Sequence, residues 1–185
     1  MKKTKLKVIG SMAYFHNPGP GAVIFLILVV ILMLPGCKTK KPTSDSTPPI
    51  VKWSILNKAN NQKQEIVGNG GPIQVNPGDL FTVTCIVEDP EGVQQITLGG
   101  GGSYYCKQGD IGKVVHVDLA GKKQDLQPDS GGYVLTKIFL IINVDLNAWN
   151  CKQAGYIFTG GSLTLVGKGK NYFNGTTTVN LVFKR

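Results

Sequence analysis

Between Leu80 and Glu88 the chain reads Leu-Phe-Thr-Val-Thr-Cys-Ile-Val-Glu, which spaces Phe81, Val83, Cys85 and Val87 two residues apart. Only an extended strand puts such a set on one face, because successive strand side chains point to opposite sides. That face needs a second sheet to cover it, and Cys85 is expected in the core as a small hydrophobe. Turn-forming residues flank the stretch: Asn76-Pro77-Gly78-Asp79 before it and Asp89-Pro90-Glu91-Gly92 after it. Val93 to Leu98 then reads as a partner strand, so the second turn predicts a hairpin.

The same period recurs. In Ile50 to Leu56, Val51, Trp53 and Ile55 alternate with polar residues, and Gly68-Asn69-Gly70-Gly71-Pro72 breaks the chain afterwards. Further strands are expected at Lys113 to Leu119, Tyr133 to Val144, Ser162 to Lys168 and Thr176 to Phe183, the last two joined across an Asn174-Gly175 turn. Tyr133 to Val144 is almost continuously apolar and rich in β-branched residues, which predicts a strand buried on both sides. With 17% charged residues and 24 glycines, the composition favours strands and turns over helices. The expectation is an all-β domain of about seven strands.

The first 36 residues follow a different logic. Four lysines fall within Met1–Lys7, and Ala22 to Leu34 is an unbroken apolar run of 13. A bilayer-spanning helix needs ~20 apolar residues, so this run suits the core of a secretory signal peptide. It ends in Leu34-Pro35-Gly36-Cys37, which resembles the lipobox of bacterial lipoproteins. The resemblance implies that Cys37 receives a diacylglyceryl thioether, that cleavage makes it the first mature residue, and that the protein is membrane-bound through lipid on Cys37. It also implies a place in the bacterial cell envelope. Lys38 stands where an Asp would retain many such proteins in the inner membrane, which points to the outer membrane, and the basic tether lacks the acidic export signal of many surface lipoproteins, which points to the periplasmic face over the cell surface. The expected organisation is a signal peptide over 1–36, a lipidated Cys and flexible tether over 37–48, and a folded domain over 49–185.

Thr47-Pro48-Pro49-Ile50-Val51 resembles the entry of bacterial immunoglobulin-like domains. The order of turn, Cys-bearing strand, Asp-Pro-Glu-Gly turn and strand resembles their second and third strands. This resemblance implies an immunoglobulin-like β-sandwich.

The net charge of +9 includes the four leader lysines; the mature part carries sixteen basic and eleven acidic residues. No concentrated basic patch with interleaved aromatics follows, so no nucleic-acid partner is expected. With Cys37 lipidated, three cysteines remain for an oxidising compartment. Cys106 and Cys151 sit beside polar or glycine-rich neighbours and are expected to form a disulfide, leaving Cys85 a buried thiol. An immunoglobulin-style bridge from Cys85 to Cys151 is the competing arrangement.

Gly99-Gly100-Gly101-Gly102 should fray a strand and form a mobile loop or bulge, with Tyr104 and Tyr105 beside it as candidate contacts for a protein or glycan ligand. His116 and Asp118 would share a strand face. Glu88, Asp89 and Glu91 cluster at one turn and could offer oxygen ligands to Ca²⁺. No phosphate loop, nucleophile elbow, zinc signature or cofactor motif occurs. The expected function is a lipid-anchored, non-catalytic binding or structural module without a cofactor; the rival is a small envelope hydrolase using Asp118, Glu88 or His116.

Overall fold

The alternation of the sequence resolves into strands in a computed structural model that describes residues 38–41, 43–45, 47–76, 79–146, 151 and 154–185. Residues 1–37, on which the expected signal peptide and the lipidation of Cys37 fall, lie outside the described residues. In chain order the strands are β1 (Lys38–Lys40), β2 (Ile50–Asn57), β3 (Gln62–Val67), β4 (Gly70–Gln74), β5 (Leu80–Glu88), β6 (Val93–Gln108), β7 (Ile111–Asp125), β8 (Tyr133–Leu135), β9 (Lys137–Asp145), β10 (Ile157–Asn171) and β11 (Thr176–Lys184). They form a four-stranded sheet in the order β3-β2-β5-β9, a five-stranded sheet in the order β4-β11-β10-β6-β7, and a ribbon of β1 with β8. Neighbours are antiparallel except β4, which runs parallel to β11. The chain is all-β, with eleven strands among the described residues where about seven were expected.

The predicted core faces are the observed ones. Val51, Trp53 and Ile55 on β2, and Phe81, Val83, Cys85 and Val87 on β5, are buried against Leu163 and Leu165 on β10 and Leu181 and Phe183 on β11. Phe81 and Phe183 meet across the sheets with ring centroids 5.1 Å apart. The sheets approach closely at two glycines of β10: an added Cβ at Gly167 would lie 2.7 Å from Cys85 Sγ and 2.8 Å from the Trp53 ring, and one at Gly169 would lie 2.5 Å from a Val87 methyl.

Four sequence expectations are corrected. The Asp-Pro-Glu-Gly turn does not close a hairpin, since β5 pairs with β2 and β9 while β6 pairs with β10 and β7. Val87 and Val93, on either side of the turn, are both fully buried, and the turn carries the chain from one sheet to the other across the core. Asp89 shapes it: its backbone N–H donates to Thr136 O at 2.9 Å and its Oδ1 accepts from the Glu91 N–H at 2.8 Å. Turn chemistry is the same for an arch and for a hairpin, so residue types could not separate the two.

Tyr133 to Val144 is not one strand buried on both sides. It breaks at Thr136, the residue whose carbonyl Asp89 takes, and β8 and β9 go to different sheets. Most of β9 is only half-buried, as an edge strand paired with β5 alone should be. Of the two forms expected for the glycine run 99–102, the mobile loop is absent and the bulge is present: the run is the middle of β6, between β10 and β7, with one register shift at Leu98/Gly100. A Cβ at Gly102 would lie 2.0 Å from Ser162 O, so the missing side chain is what lets β6 come this close to β10. Lastly, Lys38–Lys40, expected as a solvated spacer, is paired in register with Tyr133–Leu135.

Because even a methyl has no room between the sheets at Gly167, Gly167→Ala is expected to cost about 1–3 kcal/mol. Gly112→Ala, at a strand position with nothing within 4 Å of the added Cβ, should stay within about 0.5 kcal/mol of the parent. Urea unfolding midpoints of the two variants measure the difference.

Candidate functional site

Strands β6, β7 and β10 are 15 or 16 residues long, whereas β2, β5 and β9 of the facing sheet have 8 or 9. At ~3.3 Å per residue the larger sheet overhangs the smaller by about 20 Å. The inner face of the overhang has no strand opposite it, and its side chains form a groove of about 830 Å³. Its walls are Tyr104 and Cys106 from β6, Val115 and Val117 from β7, and Cys151 and Tyr156 ahead of β10.

Register explains the grouping. Tyr104 is opposite Val115 on one side and Gly161 on the other, and Cys106 is opposite Phe158, so these residues share the inward face. Tyr104 and Cys106 are buried, while Val115, Val117, Phe158, Tyr156 and Cys151 are half-buried around them. The Tyr104 and Phe158 rings stand 6.1 Å apart in a tilted arrangement, and the Arg185 guanidinium lies 4.9 Å from the Phe158 centroid.

The disulfide fixes one end of this groove. Cys106 and Cys151 are bonded, with a Cα separation of 5.8 Å, as expected from their positions. Cys85 is the free, buried thiol, and burial pushes its pKa up to about 12. The chain ahead of β10 is thereby bolted to β6 where no facing strand holds it.

Tyr104 and Tyr105 do not form one aromatic surface. Adjacent on a strand, they take opposite faces: Tyr104 is 3% exposed inside the groove, and Tyr105 is 51% exposed on the outside, opposite Val114. His116 and Asp118 share the outward face, opposite Ser103 and Gly101, with Asp118 Oδ1 beside Gly101. Glu88 is in the other sheet, where it pairs with Lys52 and, at 2.7 Å, with Lys137. The structure therefore does not bring Glu88 together with His116 and Asp118.

The expected trio of Glu88, Asp89 and Glu91 is also divided, because the strand alternation sends Glu88 outward and Asp89 inward. Asp89 is buried with its Oδ2 unpartnered, and burial first, with the nearby Asp45 charge, raises its pKa. Glu91 meets Asp45, which raises the pKa of Glu91. The centre of this cluster belongs to an amide that no local motif singles out. Buried Asn171 donates from Nδ2 to Asp45 Oδ2 at 2.5 Å and to Thr47 O at 2.8 Å, and its Oδ1 accepts from the backbone N–H groups of Phe173 and Gly175. Among the described residues no group of three or more His, Cys, Asp or Glu is arranged to hold a metal ion. The groove, by contrast, has apolar and aromatic residues in its walls.

Cys151→Ser is expected to lower stability by about 3 kcal/mol through loss of the loop constraint, while Cys85 in the native parent should resist iodoacetamide until the protein is unfolded. For Glu88, the hydrogen bonds from Lys137 and then Lys52 hold the carboxyl below its ordinary value of 4.5. A depressed carboxyl contributes stability above its unfolded pKa and loses it as pH falls through the folded value. Glu88→Gln should therefore cost about 1 kcal/mol at pH 7, and the gap to the parent should close below about pH 4 in pH-dependent denaturant unfolding.

No protein-family model matches this chain, and no curated protein is similar to it in sequence. Among solved structures, the chain is similar to the sporulation control protein Spo0M of Bacillus subtilis at 8% identity and a TM-score of 0.30. The similar region covers 72% of this chain and 49% of that one, so the chain spans about half the length of the structure it matches.

Proposed function

We propose that this chain is a lipid-anchored protein of the bacterial cell envelope whose all-β domain is a non-catalytic binding or structural module. The observation that carries the reading is the lipobox-like Leu34-Pro35-Gly36-Cys37 after a basic start and a 13-residue apolar run, followed by a domain with a disulfide. Disulfides persist in oxidising compartments, which is where such a leader would deliver the domain. Lys38 in place of Asp supports an outer-membrane position facing the periplasm.

The strand order supports an immunoglobulin-like reading of the fold. If β2, β5, β6, β7, β9, β10 and β11 are taken as seven core strands, the first, second and fifth lie in one sheet and the rest in the other. Thr47-Pro48-Pro49 leads into the first of them, as in the domains it resembles. The ligand face in this reading is the groove beside the disulfide, where half-buried Tyr156, Val115 and Val117 around buried Tyr104 supply apolar surface for a peptide side chain or a sugar ring.

Metabolic labelling with palmitate tests the anchor. The parent should carry label and run at the processed size, whereas Cys37→Ala should lose the label and accumulate as precursor, because only the thiol accepts the diacylglyceryl group. Equal label in the two chains would refute the reading.

A further inference from the structure

The residues that follow Cys37 are held against the domain from the first one onward. Lys38, Thr39 and Lys40 pair with Leu135, Val134 and Tyr133, and the Lys41 N–H donates to Gly132 O at 2.9 Å. Alternation divides these side chains. On the inward side Val134 is fully buried, and the Lys41 ammonium sits 5.0 Å from the Tyr172 ring centroid. On the outward side are Lys38, Lys40 and Tyr133, the last 48% exposed. Lys38 also meets Asp129 at 3.4 Å, and Asp129 accepts the N–H groups of Gly131 and Tyr133, so the turn beneath the ribbon is itself tied down. Further along, Asn171 holds Asp45 and Thr47, and Thr177 Oγ1 donates to Pro49 O.

Consecutive Cα atoms are ~3.8 Å apart. Lipid on Cys37 is therefore one peptide unit from a strand of the folded body, with no loose spacer between them. Acyl chains buried in a bilayer would bring the ribbon to the headgroups. The side chains it turns outward suit that layer: lysines attract anionic lipids, and tyrosine is an amphipathic residue of membrane interfaces. Asp129 offsets Lys38, which leaves Lys40 as the main uncompensated charge on this face.

We infer that the outward face of the β1–β8 ribbon, formed by Lys38, Lys40 and Tyr133, seats the domain directly on an anionic bilayer surface. This rests on the proposed lipid at Cys37. The groove beside the disulfide then faces away from the membrane, because β6 runs from Val93, next to the ribbon through Gly92 and Val134, over about 50 Å to Gln108.

The test uses the processed, full-length chain in vesicles of phosphatidylglycerol and phosphatidylcholine that contain brominated acyl chains. Tyr133→Trp places a fluorophore on the ribbon, and Ile111→Trp, at a 64% exposed site beyond the far end of β6, serves as the reference. After subtraction of the parent signal, quenching should be several-fold greater at position 133 than at 111, and weaker in vesicles of phosphatidylcholine alone. In the unsubstituted parent, the amides of Thr39 and Lys41, which the antiparallel register bonds to Val134 and Gly132, should keep their protection from hydrogen exchange on the vesicle. A chain without lipid by intact mass overturns the anchor reading. A lipidated chain with equal quenching at the two sites, or with fast exchange at Thr39 and Lys41, overturns the seating and leaves the anchor standing.

Discussion

The contact of Trp53 and Cys85 with Gly167 sets the spacing of the two main sheets, and much of the remaining structure depends on it. Trp53 and Cys85 are opposite each other in the β2–β5 ladder and present one surface to the facing sheet. Facing them is a glycine, so the indole fills space that a side chain on β10 would otherwise occupy. This decides the fate of the cysteine too. A bridge across the core from Cys85 would need a cysteine near Gly167, whereas Cys151 lies at the other end of β10, bonded to Cys106. The thiol that sequence could have assigned to a bridge between sheets is a packing residue instead.

Unequal strand length is the second determinant. Facing sheets bury each other only where both are present, and β6, β7 and β10 continue past the ends of β2, β5 and β9. The uncovered stretch keeps the inward/outward alternation of a core strand but has no sheet above it. Around buried Tyr104, its inward side chains Val115, Val117 and Phe158 remain half-buried, and the disulfide supplies a covalent link in place of packing. The glycines of β6 serve the same construction, since the close β6–β10 approach at Gly102 keeps the ladder continuous up to Tyr104.

At the opposite end of β6, polar chemistry replaces hydrophobic burial. Asn171 uses both ends of its amide, holding the β10–β11 turn with its oxygen and the segment before β2 with its nitrogen. Next to it, Asp89 ties the arch between sheets to the break between β8 and β9. A segment with no apolar side chains besides its prolines thus becomes part of the folded body, because neighbours distant in sequence supply the partners it lacks locally.

The amino-acid sequence by itself determined which residues are inside. Two-residue alternation is a local property, and the faces it marks on β2, β5, β10 and β11 are the buried ones. It also marked Cys106 and Cys151 as a pair, through their polar and glycine-rich surroundings, and Cys85 as core. Which strands are neighbours was decided only by tertiary structure. Asp-Pro-Glu-Gly reverses the chain equally well within a sheet or between sheets, and burial of both Val87 and Val93 is satisfied by the arch. In the same way, nothing local in Gly99–Gly102 separates a loop from a strand squeezed between two neighbours, and nothing in Lys38–Lys40 announces the partner strand 95 residues later. Alternation is written in adjacent residues, whereas pairing depends on contacts between residues far apart, and those exist only once the two sheets have closed on Trp53.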